Sequence, residues 1–164
     1  MTDNKIPYFI HIPKTGGTSV RRSLKKNCPE LKLIHHTHDH ILKHLNRDDL
    51  DKYFKFAFVR NPWDRLVSTF FHLSNENSRV HHHSKTKSKD YYKRYNGDFN
   101  LFMKDFSKGL IPYKRLYKPQ YKLMTYKKYL IKKCTIPDFI GKFENLQSDF
   151  ERLCDILGVK RYKL

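Results

Sequence analysis

Lys14, Gly16, Gly17, Thr18 and Ser19 share the stretch HIPKTGGTS, residues 11–19, which follows a short apolar run and precedes helical spacing. Paired glycines let a backbone turn tightly and bring its N–H groups close to a guest, and hydroxyl side chains stand where a helix begins. A helix N-terminus carries unpaired donors and a partial positive charge, so with Lys14 beside it this corner is equipped to hold a phosphate or sulfate. A second cation, Arg60, closes the apolar run FKFAFVR, and Ser68 follows on the next helical segment. An arginine fork and a hydroxyl can grip one anion together. The magnesium-dependent nucleotide loop has the form GxxxxGK[ST] and an Asp ending another strand. Neither holds here, since Lys14 precedes the glycines and Arg60 stands where the Asp would be.

Histidine suits proton transfer near neutral pH, and HHTHDH, residues 35–40, offers His36 first and His38 second as the base, with His35 completing a strand. His36, His38 and His40 could converge on a metal if extended, but HExxH and a matching acidic or cysteine set are absent from the sequence, so no metal is expected. The HHH at 81–83 reads as loop composition. Glu144 reads either as a carboxylate backing the site or as an acid favoured by a helix start. Arg60 has a structural alternative, an ion pair with Asp64, and Arg65 reads the same way with a neighbouring carboxylate.

These residues need elements to place them. Residues 8–12 read as a buried strand feeding the glycine loop, and 18–26 as a helix with Val20 and Leu24 on one face. LKLIH, 31–35, is a second strand followed by a helical stretch through Asp51, and 54–60 is a third strand rich in aromatic and branched residues. Pro62 fits the first turn of a helix capped by Asn61, with Trp63, Leu66, Val67, Phe70 and Phe71 expected on its apolar face. Residues 75–97 read as a polar insertion, 99–106 and 119–133 as helices, 137–143 as a strand, and Leu146, Phe150, Leu153 and Leu157 mark a last helix before Gly158. Strands alternating with helices predict a three-layer α/β fold with a mostly parallel sheet, ligands collecting at its carboxyl edge.

The chain has 164 residues, enough for a single domain with one core, and the 38% apolar content is compatible with folding. Its net charge of +18 predicts attraction to polyanions, whether nucleic acid through a non-specific basic surface, an anionic membrane, or a sulfated glycan. Three cysteines without CxxC spacing, Cys28, Cys134 and Cys154, read as reduced packing residues. No run approaches the roughly 18 apolar residues of a membrane span, and the N-terminal residues lack signal-peptide character, so a cytoplasmic location is expected.

PKTGGTS and VRNPWDRLVSTFF resemble the two signature segments of the sulfotransferases that use 3′-phosphoadenosine 5′-phosphosulfate, in the branch that includes carbohydrate sulfotransferases. DFIGKFENLQSDFERLCDILGV, 138–159, is similar to a later strand–helix segment of that branch. The resemblance implies that Lys14, Thr15, Gly16, Gly17, Thr18 and Ser19 hold the 5′-phosphosulfate while Arg60 and Ser68 hold the 3′-phosphate at the other end of the nucleotide. It further implies in-line transfer to a hydroxyl or amine of a carbohydrate-like, anionic acceptor, a base in the 35–40 region, adenosine 3′,5′-bisphosphate as product, and no required metal. The readings from other classes are a catalytically weak nucleotide- or polyanion-binding module and a nucleotide kinase.

Overall fold

The computed structural model describes residues 5–37, 47–78, 89–111, 113–128, 131–135 and 137–164. The chain divides into two compact units, residues 1–61 with 118–164, and residues 62–117.

The first unit is built on a four-stranded parallel sheet of order β2-β1-β3-β6, from β1 (Ile6–His11), β2 (Ile34–Thr37), β3 (Tyr53–Val59) and β6 (Phe139–Lys142). A parallel sheet buries both faces, which is why its central strands carry apolar side chains at successive positions. Phe9, Phe56, Phe58 and Phe139 pack on one face against Val20 and Leu24 of helix α1 (Gly17–Asn27) and against a C-terminal helix (Leu146–Leu157) through Phe150 and Leu153. Tyr8, Ile10, Ile12 and Ala57 face the other way, onto Leu50, Leu123 and Met124. Lys55 is the polar exception inside β3. Its ammonium donates to the carbonyls of Leu50 and Tyr53 and lies 3.0 Å from the Asp138 carboxylate, tying the entry ends of β3 and β6 together. The C-terminal helix stops at Gly158, whose φ of +68° accommodates the left-handed turn.

Two sequence expectations shift here. The second strand begins three residues late and runs through Thr37, so His36 sits inside it. Residues 119–133 are helical only over Tyr121–Met124, after which β4 (Thr125–Lys128) and β5 (Ile131–Thr135) form an antiparallel pair. β-Branched and aromatic residues, Thr125, Tyr126, Ile131 and Thr135, favour the pleated form there.

The second unit contains α2 (Pro62–Ser74), α3 (Lys89–Tyr95) and α4 (Phe99–Ser107), around a core of Leu66, Phe70, Leu73, Tyr95, Phe102, Ile111 and Leu116. Lys89–Tyr95, inside the stretch read as a polar insertion, is helical, and its Tyr95 supplies a fully buried ring. The buried stripe of α2 is also rotated from expectation. Arg65, Leu66, Thr69, Phe70 and Leu73 face inward, while Trp63 and Phe71 are 72% and 65% exposed. Two polar residues are accommodated inside by hydrogen bonds, Arg65 to the Arg115 carbonyl at 3.2 Å and Thr69 to the carbonyls of Arg65 and Leu116. Burial pushes the Arg65 guanidinium down to about 10.

Cys28 and Cys154 are buried free thiols, while the side chain of Cys134 lies outside the described residues. Among the described residues no helix is long and apolar enough to cross a membrane.

Candidate functional site

The glycine loop leaves β1 at the carboxyl edge of the sheet and enters α1. Lys14 and Gly16 both take positive φ, +66° and +76°, and the reversal turns the chain into the helix. Lysine in this region is strained, since its Cβ crowds the following carbonyl. The Gly16 carbonyl accepts from the N–H groups of Ser19 (2.9 Å) and Val20 (3.3 Å), so the first turn closes on it. Among the described residues no side chain caps α1, and its first turn has no acidic residue, so the positive end of the dipole is suited to an anion. Thr18 and Ser19 are exposed there. Thr15 differs: it is fully buried and its hydroxyl donates to the Ile12 carbonyl at 2.9 Å, so its side chain braces the loop from within.

Gly16 is needed for conformation and for space, Gly17 for space alone. A Cβ on Gly17 would stand 2.3 Å from Cδ2 of His11, and one on Gly16 would stand 2.9 Å from Cδ2 of Leu146. The His11 ring cannot easily give way, because it stacks on Phe9 at 5.4 Å and its Nδ1 lies 3.1 Å from Nε2 of His35.

Arg60 follows β3 at the same edge. Its guanidinium lies over the Phe143 ring at 4.0 Å, a cation–π contact, and its Nη1 reaches the Lys14 carbonyl at 3.5 Å, the outer limit of a hydrogen bond. Phe143 holds the guanidinium beside the glycine loop. Nε of Arg60 is buried without a hydrogen-bond partner among the described residues. The backbone beneath is fixed twice by one side chain: the Arg60 N–H donates to Oε1 of Gln120 (2.9 Å), and Nε2 of Gln120 donates to the Arg60 carbonyl (2.7 Å). The Asn61 N–H donates to Oε1 of Glu144 at 2.6 Å, and that hydrogen bond, with Arg60 and Lys142 nearby, holds the Glu144 carboxyl below its usual range.

Lys14 and Arg60 are thus two cations at one corner, and among the described residues neither forms an ion pair. Burial, and then the charge of Arg60, lowers the Lys14 ammonium below the ordinary lysine value of 10.5. Two like charges held close carry a cost that an anion placed between them would relieve.

A model of the sulfotransferase family matches residues 2–163, nearly the whole chain. The chain belongs to the sulfotransferase family. It is 33% identical over 111 residues to an uncharacterized protein of Archaeoglobus fulgidus, covering 66% of this chain and 71% of that relative. No solved structure matches.

For a sulfotransferase, the remaining candidates divide by position. His36 pairs in register with Ile10 on β2, and Thr37 with His11, so the backbone brings His36 to within one strand of the loop. The His36 side chain and all of His38 lie outside the described residues. His35 does more than complete the strand, since it supports the His11 ring beneath Gly17. Ser68 is half-buried on α2, in the second unit. Among the described residues no group of His, Cys, Asp and Glu stands together as a metal set.

Three contributors escaped the sequence reading: His11, Gln120 and Phe143. Gln120 lies 60 residues from its partner, and nothing local to it signals the bond. Phe143 precedes the singled-out Glu144, but only the sheet order brings both under Arg60.

Lys14 must be charged to neutralise a phosphate, and its lowered value means that it loses its proton at a pH below that of a free lysine. The alkaline limb of kcat/KM, which reports the free enzyme, is therefore expected below pH 10.5. Lys14→Arg should move that limb upward, because a guanidinium keeps its charge. An alkaline limb identical in the two proteins would assign it elsewhere.

Proposed function

We propose that the chain transfers a sulfuryl group from 3′-phosphoadenosine 5′-phosphosulfate to a hydroxyl, or an amine, of a carbohydrate-like acceptor. The observation that carries this reading is the pair of cations, Lys14 and Arg60, converging on a helix end that no described side chain caps, with a buried Arg60 Nε that has no hydrogen-bond partner among the described residues. The loop N–H groups with the two cations suit the 5′-phosphosulfate end of such a donor, and the assignment of Arg60 to its 3′-phosphate rests on the family resemblance. Ser68 joins Arg60 in this assignment, as the family resemblance implies.

The acceptor oxygen forms a bond to sulfur as the bond from sulfur to the 5′-phosphate oxygen breaks, and adenosine 3′,5′-bisphosphate departs. Negative charge grows on the departing phosphate, and Lys14 with the α1 N-terminus lies where that charge is stabilised. The acceptor proton passes to a base, for which His36 on the neighbouring strand is first choice and His38 second. The transferred group carries less charge than a phosphoryl group, so fixed cations suffice and the scheme requires no divalent metal.

Thermal unfolding of the full chain tests this. At a hundredfold excess over Kd, adenosine 3′,5′-bisphosphate should raise Tm by roughly 5–10 °C. Adenosine 5′-phosphate should give less, and Arg60→Ala should erase the difference between the two. A larger response to magnesium ATP would point to a kinase, and the absence of labelled sulfate transfer to any sugar would reduce the chain to a nucleotide-binding module.

A further inference from the structure

We infer that Gln120 is a positioning residue for the donor: by gripping the peptide groups on both sides of the Arg60 Cα, it sets where that guanidinium stands relative to Lys14. The inference rests on the sulfotransferase reading above and adds a residue to its donor site.

Arg60 stands where the sheet stops supporting it. β1 pairs with β3 as far as Ala57 and β6 as far as Val59, so Arg60 and Asn61 run on past both ladders. There the chain leaves for the second unit, and it returns at Lys118. Gln120 follows closely on that return and takes the place of a neighbouring strand. Its Oε1 accepts the Arg60 N–H at 2.9 Å and its Nε2 donates to the Arg60 carbonyl at 2.7 Å. One carboxamide thus meets both polar groups of one residue, and that residue cannot turn about φ or ψ without breaking a bond.

The grip is itself anchored on β1. The Gln120 carbonyl accepts the Leu123 N–H at 2.9 Å and the Pro119 carbonyl accepts the Lys122 N–H at 3.0 Å, closing the turn that opens the short helix Tyr121–Met124. Leu123 and Met124 are buried with Tyr8 and Ile10 of β1 and with Ile12 just beyond it. β1 runs into the glycine loop, so both cations take their position from the same strand, Lys14 along the chain and Arg60 through Gln120.

A glutamine beside a turn is ordinarily a brace for the fold. Here it holds a charge next to a like charge, since the Arg60 guanidinium reaches the Lys14 carbonyl at 3.5 Å and opposes the Lys14 ammonium. On a loose backbone the arginine would swing toward water and relieve that repulsion, and a donor would then bear the cost of ordering it again. Fixing the Arg60 backbone removes that freedom before the donor arrives. Glu144 assists with a single bond from the Asn61 N–H at 2.6 Å, whereas Gln120 acts on Arg60 itself.

The test uses Gln120→Leu and Gln120→Glu in the full chain, with Gln120→Leu also combined with Arg60→Ala. Gln120→Leu loses both bonds and is expected to weaken binding of adenosine 3′,5′-bisphosphate about tenfold, the order of effect of one well-placed hydrogen bond. Added to Arg60→Ala it should cost nothing more, because it acts through Arg60. Gln120→Glu sets a carboxylate oxygen against the Arg60 carbonyl, and only the protonated acid donates there. Its loss relative to the wild type should therefore be full at about pH 8 and shrink toward about pH 5. In the unliganded chain the Lys14 ammonium, followed by NMR, should titrate closer to 10.5 in Gln120→Leu than in the wild type, because Arg60 is no longer held beside it. An unchanged affinity, an additive double variant, a Glu variant whose loss ignores pH, or an unmoved Lys14 would overturn the inference and leave Gln120 a brace of the fold. If the wild-type chain ignores the bisphosphate, the donor reading fails, and the Lys14 titration alone decides whether Gln120 places Arg60.

Discussion

Lys14→Ala is expected to lower turnover about 10²–10³-fold, the usual loss when one preorganised stabiliser of developing charge is removed. Lys14 stands at the turn into α1, and its partner cation Arg60 is held to the loop carbonyl at 3.5 Å. Stability should move the other way. The lysine has a φ of +66°, and burial together with Arg60 opposes its charge, so the native chain carries a cost at this residue. Lys14→Gly relieves both, and its Tm is expected to equal or exceed that of the wild type while turnover falls as for alanine. Comparing kcat for labelled sulfate transfer with the unfolding midpoint separates the two effects. A glycine variant that is less stable, or one that retains turnover, would remove Lys14 from the role given to it.

Gly17→Ala is expected to destabilise the fold by about 1–3 kcal/mol, the range for overpacking a filled interior. Helix propensity alone predicts the opposite sign, since alanine is favoured over glycine in a helix by roughly 0.8–1.0 kcal/mol and Gly17 is not among the positive-φ positions. What decides is contact: the added methyl would stand 2.3 Å from Cδ2 of His11 and 3.0 Å from Cζ of Phe9. His11 is held from behind by His35, and Phe9 by Phe56 at 4.9 Å, so neither ring has a free direction. Denaturant unfolding measures the sign directly. His11→Ala in the Gly17→Ala background should recover part of the loss, and a stabilised Gly17→Ala would show the rings to be looser than this geometry.

What the sequence conveyed follows from how local each signal is. The glycine loop, Arg60 at a strand end and the final helix through Phe150 and Leu153 are contiguous patterns, and each appears where expected within a residue or two. The rotation of α2 was missed because Trp63, Val67 and Phe71 are apolar at i, i+4 and i+8, a spacing that competes with Leu66, Phe70 and Leu73. Only a neighbouring core, with carbonyls to receive Arg65 and Thr69, selects between the stripes. The segment 119–133 misled in a related way. Lysines and leucines read as helical, whereas the far end forms an antiparallel pair with Thr125 opposite Thr135 and Tyr126 opposite Cys134. The brace of the site was the least legible part, because Phe143 and Glu144 come under Arg60–Asn61 only when β6 lies beside β3, and Gln120 meets Arg60 from 60 residues away.

The ammonium of Lys55 has a different environment from that of Lys14. At the entry end of β3 it is satisfied by two carbonyls and the Asp138 carboxylate, and one oxygen of that carboxylate also receives the Lys55 N–H at 2.7 Å. The sheet therefore has a sealed end and an open one. Cohesion is concentrated where the strands begin, and the mutual repulsion tolerated where they finish becomes an attraction for whatever anion arrives.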